Sequence, residues 1–162
     1  MKNNTPAENS FQKGLVILQD GDPVAATALF ESALRLEREK GTARPQMRYL
    51  SYYGLAQALA KKATPEAIKL CETAAEGEFF NPELQHNLGK VYLLAGKTTK
   101  ALEVLDRARK MAPGNKAIRR TIADADRRGH PTIPWLNRNH PLNIMLGRWR
   151  HSRARKRFAR QS

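Results

Sequence analysis

Residues 88–113, LGKVYLLAGKTTKALEVLDRARKMAP, decide the fold. Gly89 is followed twelve residues later by Ala101, and then by Leu105, Ala108 and Pro113. Small residues at these steps belong where two antiparallel helices touch, because only a small side chain lets the backbones come close. Gly96 falls seven residues after Gly89, where the first helix must end and the chain reverse. Glycine suits that point because it adopts the left-handed conformation of a helix C-terminus without strain. The pattern recurs upstream as Gly14, Gly21, Ala26, Phe30 and Ala33. A middle copy has Ala67, Cys71 and Ala74 at the same steps, but Gly54 precedes Ala67 by thirteen residues rather than twelve.

Helical periodicity around these anchors predicts helices over 9–20, 23–39, 45–61, 64–76, 82–95, 98–111 and 116–128. Asp22-Pro23, Thr64-Pro65-Glu66 and Asn81-Pro82-Glu83 read as cap followed by proline in the first turn. Pro113-Gly114-Asn115 stops one helix and caps the next. No segment reads as a strand, so the expected class is all-α, a stack of helical hairpins. A polar tail is expected over 1–8, a solenoid over 9–128 and a Pro-rich extended segment over 129–141. A basic amphipathic helix and tail follow over 142–162.

These residues resemble the tetratricopeptide-repeat consensus, with repeats at about 7–40, 46–79 and 82–115 and a further helix at 116–128. Arg38 stands where the closing proline of the first repeat is expected, and the linker Glu37–Pro45 is long. The chain as a whole is similar to bacterial proteins that join such repeats to a basic, Pro/Arg-rich C-terminus. The resemblance implies a right-handed superhelical stack of about three hairpins plus C-terminal capping helices. It also implies a concave groove, lined by the first helix of each pair, that holds a peptide or helix of a protein partner. Carried onto this chain, the groove residues are Phe11, Leu15 and Leu18 in the first repeat. Tyr49, Tyr52 and Tyr53 serve the second; His86, Asn87, Lys90 and Leu94 serve the third. Tyrosine offers an apolar face and a hydroxyl at low entropy cost, which suits recognition. Aromatic residues at helical spacing equally suit the core between repeats. The Lys/Asn clamp that some relatives use for a terminal carboxylate is incomplete, since Phe11 and Leu15 occupy its first-repeat positions.

The chain has 162 residues with 29 Lys+Arg against 15 Asp+Glu, a net charge of +14. Residues 1–126 hold 19 basic and 15 acidic residues; residues 127–162 hold 10 basic and no acidic one. Polyanions are therefore candidate partners of the tail. Seven basic residues, Arg148, Arg150, Arg153, Arg155, Lys156, Arg157 and Arg160, are interleaved with Trp149 and Phe158. Nucleic acid or an anionic membrane surface fits that composition. Just before it, Leu142, Met145, Leu146 and Trp149 form one helical face that could close the end of the stack.

Enzyme chemistry finds no foothold. Gly96-Lys97-Thr98 imitates a phosphate loop, but Val91 occupies the place of its first glycine. The four histidines have no i,i+4 pairing, and Cys71 is the single cysteine. No catalytic residue, metal site, cofactor or small-molecule substrate is expected. The start of the sequence is polar and no apolar run reaches the ~20 residues of a membrane span, so a cytoplasmic location is expected. The expected function is a non-catalytic interaction scaffold or adaptor. The alternative is a nucleic-acid-, ribosome- or membrane-associated factor acting through the arginine-rich end.

Overall fold

The computed structural model describes residues 5–41, 45–61 and 63–129. Seven helices occupy them: α1 (Pro6–Gln19), α2 (Pro23–Glu39), α3 (Met47–Lys61), α4 (Pro65–Gly77), α5 (Pro82–Leu94), α6 (Thr98–Met111) and α7 (Lys116–Gly129). No strand occurs among the described residues. Consecutive helices pair as hairpins α1–α2, α3–α4 and α5–α6, and each hairpin packs on the next through α2–α3, α3–α5 and α4–α5. The chain divides into units of residues 1–125 and 126–162, and only the last turn of α7 is described in the second. The expectations for 130–162, including the seven basic tail residues, lie outside the described residues. No helix among the described residues is long and apolar enough to cross a membrane.

Local chemistry starts the helices. Asp22 Oδ1 accepts from the amides of Val24 and Ala25 at 3.1 and 3.0 Å. Thr64 Oγ1 accepts from Ala67 at 3.2 Å, and Asn81 Oδ1 from Glu83 at 3.1 Å. Each cap satisfies amide donors that the first turn cannot pair. Helix α1 begins at Pro6, inside the stretch assigned to a polar tail. Thr5 caps it by accepting from Glu8 N at 3.2 Å, with proline at the first turn, so Thr5-Pro6-Ala7-Glu8 is a start signal.

The hairpins turn as the glycines require. Gly21 and Gly96 have φ of +89° and +73°. At both turns the residue after the glycine donates back five positions, Asp22 N to Ile17 O at 3.1 Å and Lys97 N to Tyr92 O at 2.9 Å. Gly14 and Gly89 are the close approaches. A Cβ on Gly14 would lie 2.6 Å from Phe30 Cε1, and one on Gly89 would lie 2.6 Å from Leu105.

The middle hairpin keeps this contact despite its extra residue. A Cβ on Gly54 would meet both the Ala67 carbonyl and Cys71 Sγ at 2.8 Å. Cys71 thus takes the place of Phe30 and Leu105. The additional residue is absorbed at the end of α3, which runs to Lys61, seven residues past its glycine. The long linker also has a fixed anchor. Glu37, only 6% exposed, accepts from Gln46 N at 2.8 Å and so places a carboxylate at the start of α3.

Candidate functional site: the face of the first helices

Counting from the close-approach glycine of each hairpin puts α1, α3 and α5 in one frame. Six residues before it stand Glu8, Arg48 and Glu83. Three before it stand Phe11, Ser51 and His86, and two before it stand Tyr52 in α3 and Asn87 in α5. The residue three before the glycine meets the residue of the next helix that lies two before. Phe11 and Tyr52 pack edge-to-face at 5.5 Å, Asn87 Nδ2 donates to Ser51 Oγ at 3.2 Å, and His86 Nε2 lies 2.9 Å from Thr121 Oγ1 on α7. One contact, repeated at three steps, changes from aromatic to polar along the stack.

Seven of the ten groove residues named from sequence divide into floor and surface. Phe11, Tyr49 and Asn87 are 2%, 0% and 2% exposed, and His86 is also buried. Leu15, Tyr52 and Lys90 are half-buried. Phe11 and Tyr49 form a buried aromatic cluster with Phe30 and Tyr52, with centroids at 4.6 to 5.7 Å. Tyr49 lies five residues before Gly54 and faces α1, whereas the residues in register with Phe11 and Leu15 are Ser51 and Leu55, both buried. Tyr53 is half-buried and packs against the same cluster.

Three polar links tie this face together. Arg48 pairs with Glu8 and lies 4.9 Å above the Phe11 ring, closing the aromatic cluster from outside. Tyr49 Oη donates to Glu8 Oε2 at 2.7 Å, and burial followed by that carboxylate pushes the phenol up to about 12. Tyr52 Oη donates to Glu83 Oε1 at 2.5 Å, and burial and Glu83 again raise its pKa, so it stays a neutral donor. Lys90 makes no hydrogen bond or ion pair with a described residue, and burial lowers its pKa while Glu83 opposes the shift. Leu59 and Leu94, each five residues past its glycine, are 45% and 47% exposed. The accessible surface therefore carries Arg48, Tyr52, Glu83 and Lys90 beside an apolar rim. Sequence reasoning missed Glu8, Arg48, Ser51, Glu83 and Leu59, although the frame counted from the glycines picks them out.

No cluster of three or more metal-ligating side chains occurs among the described residues. The Cys71 thiol is buried, donates to the Ser51 carbonyl at 3.3 Å, and is pushed up to about 12 by burial, so it is an inert protonated thiol at neutral pH.

His86 gives a pH-dependent signature. Burial first, then the Lys90 charge, pulls its pKa down to about 4 from an ordinary 6.5. The fold holds the ring neutral, so its contribution is complete above pH ~6.5 and is lost as pH falls toward 4. Denaturant titrations across that window should show about one extra proton taken up on unfolding. His86→Asn should flatten that component; an unchanged profile would remove His86 as its source.

Comparison with known proteins agrees with this architecture. Residues 58–125 match the tetratricopeptide-repeat family. No curated protein matches the chain by sequence. Among solved structures, the chain is similar to the Sgt2 TPR domain from Aspergillus fumigatus, with a TM-score of 0.61 and 17% identity over 76% of this chain and 80% of that one. It is similar to the P58(IPK) TPR domain at a TM-score of 0.61 and 20% identity, over 75% of this chain and 33% of that one. PcrH, solved in complex with the chaperone binding region of PopD, gives 0.54 and 18% over 75% and 86%. At these identities the likeness is one of fold.

Proposed function

We propose that the chain is an interaction scaffold whose first-helix face holds an extended segment or helix of a partner protein; residues 58–125 match the tetratricopeptide-repeat family and the fold is that of solved TPR domains. One observation carries the reading: a single frame on α3 and α5 presents a half-buried tyrosine, an unpaired half-buried lysine and two exposed leucines over a rigid floor. Rigid floors with apolar and hydrogen-bonding anchors suit recognition, because little entropy is lost when a partner seats. Solenoid repeats offer extended concave surfaces of this kind, and PcrH, a fold neighbour, was solved with a protein segment bound.

Tyr52→Phe, Lys90→Gln and Leu94→Ala together remove the polar and apolar anchors while keeping every ring of the aromatic cluster in place. Against the wild-type chain, proteins retained in pull-downs from the native cell should be lost, a weakening of about a hundredfold or more. Glu31→Gln with Arg35→Gln, on the exposed side of α2, should retain them. Equal retention by both variants would refute the groove.

A second reading is favoured by charge. Seven basic residues crowd 148–160 and no acidic residue follows position 126, so we read this segment as a polyanion-binding element. Neutralising it should weaken, with a shallower salt dependence, binding to nucleic acid or anionic vesicles.

A further inference from the structure

We propose that the folded corner between α6 and α7 is itself a nucleic-acid-binding surface, which tracks the phosphate backbone of a duplex independently of both the groove and residues 148–160. Its first support is where the charge begins. Residues 1–96 carry 11 basic and 11 acidic residues, so the entire +14 lies after residue 96, where 18 basic residues face 4 acidic ones. Eight of those 18 lie on α6, α7 and the residue before α6, ahead of Ala125.

The second support is the way α7 is built. Ile118 and Ala125 are 0% and 3% exposed and form its buried side. Lys116, Arg119 and Arg120 fall on the opposite side and are exposed, and none makes an ion pair with a described residue. Across the short turn, Arg109 and Lys110 are exposed and share a single partner, Asp106, at 2.5 and 2.9 Å. The corner therefore has five exposed cations against two exposed or half-buried carboxylates, Asp106 and, one turn beyond Arg120, Asp124.

The third support is that this arrangement works against the helix. A helix N-terminus carries partial positive charge and favours acidic residues in its first turn. Helices α1, α4 and α5 follow that rule with Glu8, Glu66 and Glu83, while α2, α3 and α6 have no acidic residue in the first turn. Helix α7 has no acidic residue in its first turn and instead gathers three cations within its first five residues. The packing of α7 gives no reason for them, whereas an external polyanion gains from both the cations and the amide dipoles.

Nucleic acid fits better than a lipid surface. Interfacial helices set apolar side chains beside their cations, and among the described residues the large exposed hydrophobics, Val16, Val24, Leu59, Phe79, Phe80 and Leu94, all lie outside α6 and α7. Three of the five cations are arginines, whose planar fork matches phosphate oxygens. Without an exposed aromatic ring on either helix, the corner has no platform for stacking unpaired bases. Backbone contact with a duplex is the mode that remains.

The test uses the full chain, 20-base-pair RNA and DNA duplexes, and phosphatidylserine-containing vesicles, each titrated over a range of salt. Lys116→Gln, Arg119→Gln and Arg120→Gln are combined, with circular dichroism to confirm the fold. A second protein has the seven basic residues of 148–160 replaced by glutamine. The corner variant should bind duplex at least tenfold more weakly than wild type, and its log–log salt slope should fall by about 2.7, at about 0.9 per phosphate contact. The tail variant should keep a measurable, salt-dependent affinity that disappears when the corner is also changed. RNA binding, DNA binding or both would sustain the proposal and identify the source. An unchanged affinity and slope in the corner variant would overturn it, as would binding to vesicles but to neither duplex. The groove variants should leave duplex binding untouched, so the failure of one site is read separately from the failure of the other.

Discussion

Phe30→Ala should cost about 3–5 kcal/mol, a large share of the stability of a chain this size. Phe30 is 0% exposed and lies between Phe11 and Tyr52, at 5.5 and 5.7 Å, and against the backbone of Gly14. Removing the ring opens a cavity that rigid helices can only partly close. Because repeats contact only their neighbours, the loss falls first on one end of the stack. Hydrogen exchange should show α1 and α2 losing protection before α5 and α6. The partner substitution reports the contact itself. Gly14→Ala alone drives a methyl against Phe30 and should destabilise. On the Phe30→Ala background it should be neutral or stabilising, because alanine favours a helix by about 1 kcal/mol over glycine and the clash has gone. A Gly14→Ala cost that persists without the ring would show the contact is misassigned.

Gly54→Ala should destabilise by about 1–3 kcal/mol although it improves helix propensity. Its Cβ would meet a backbone oxygen of Ala67 and the buried Cys71 sulfur, both at 2.8 Å, and neither can swing aside as a flexible side chain can. Gly77→Ala is the control. There the Cβ would meet Met47 Sδ at 2.8 Å, the far end of a flexible chain, and the change should be nearly neutral. Chemical denaturation of the two variants separates the cases. Equal stability would mean that α3 does not approach α4 at Gly54 and that the middle hairpin has another register.

The fold was legible because the glycine, the small residues and the caps recur at fixed steps. Its irregularities were less so. A spacing of thirteen rather than twelve left open where the extra residue sits, and only the close approach of Gly54 to Cys71 shows that the helix end absorbs it. Thr5-Pro6-Ala7-Glu8 was a cap hidden in a polar stretch. The site was legible in type but not in depth. Sequence spacing says that Phe11, Tyr49 and Asn87 lie on first helices, but not which neighbour covers them. Arg48 closes over Phe11 through a pair with Glu8, 40 residues away, and no local pattern encodes that meeting. Dividing the chain at residue 126 averages the basic corner with the neutral residues before it. The division that separates neutral from basic falls thirty residues earlier, between the third pair's two helices.

The central claim is that partners seat on the face of the first helices. Site-specific photo-crosslinking tests it directly, with a photoreactive phenylalanine placed singly at Leu59, Leu94, Arg35 and Glu103. Leu59 and Leu94 lie on first helices, and Arg35 and Glu103 on second helices. Adducts to one partner protein from positions 59 and 94, absent from 35 and 103, are the predicted result. Adducts from 35 or 103 alone, or equally from all four, would contradict it.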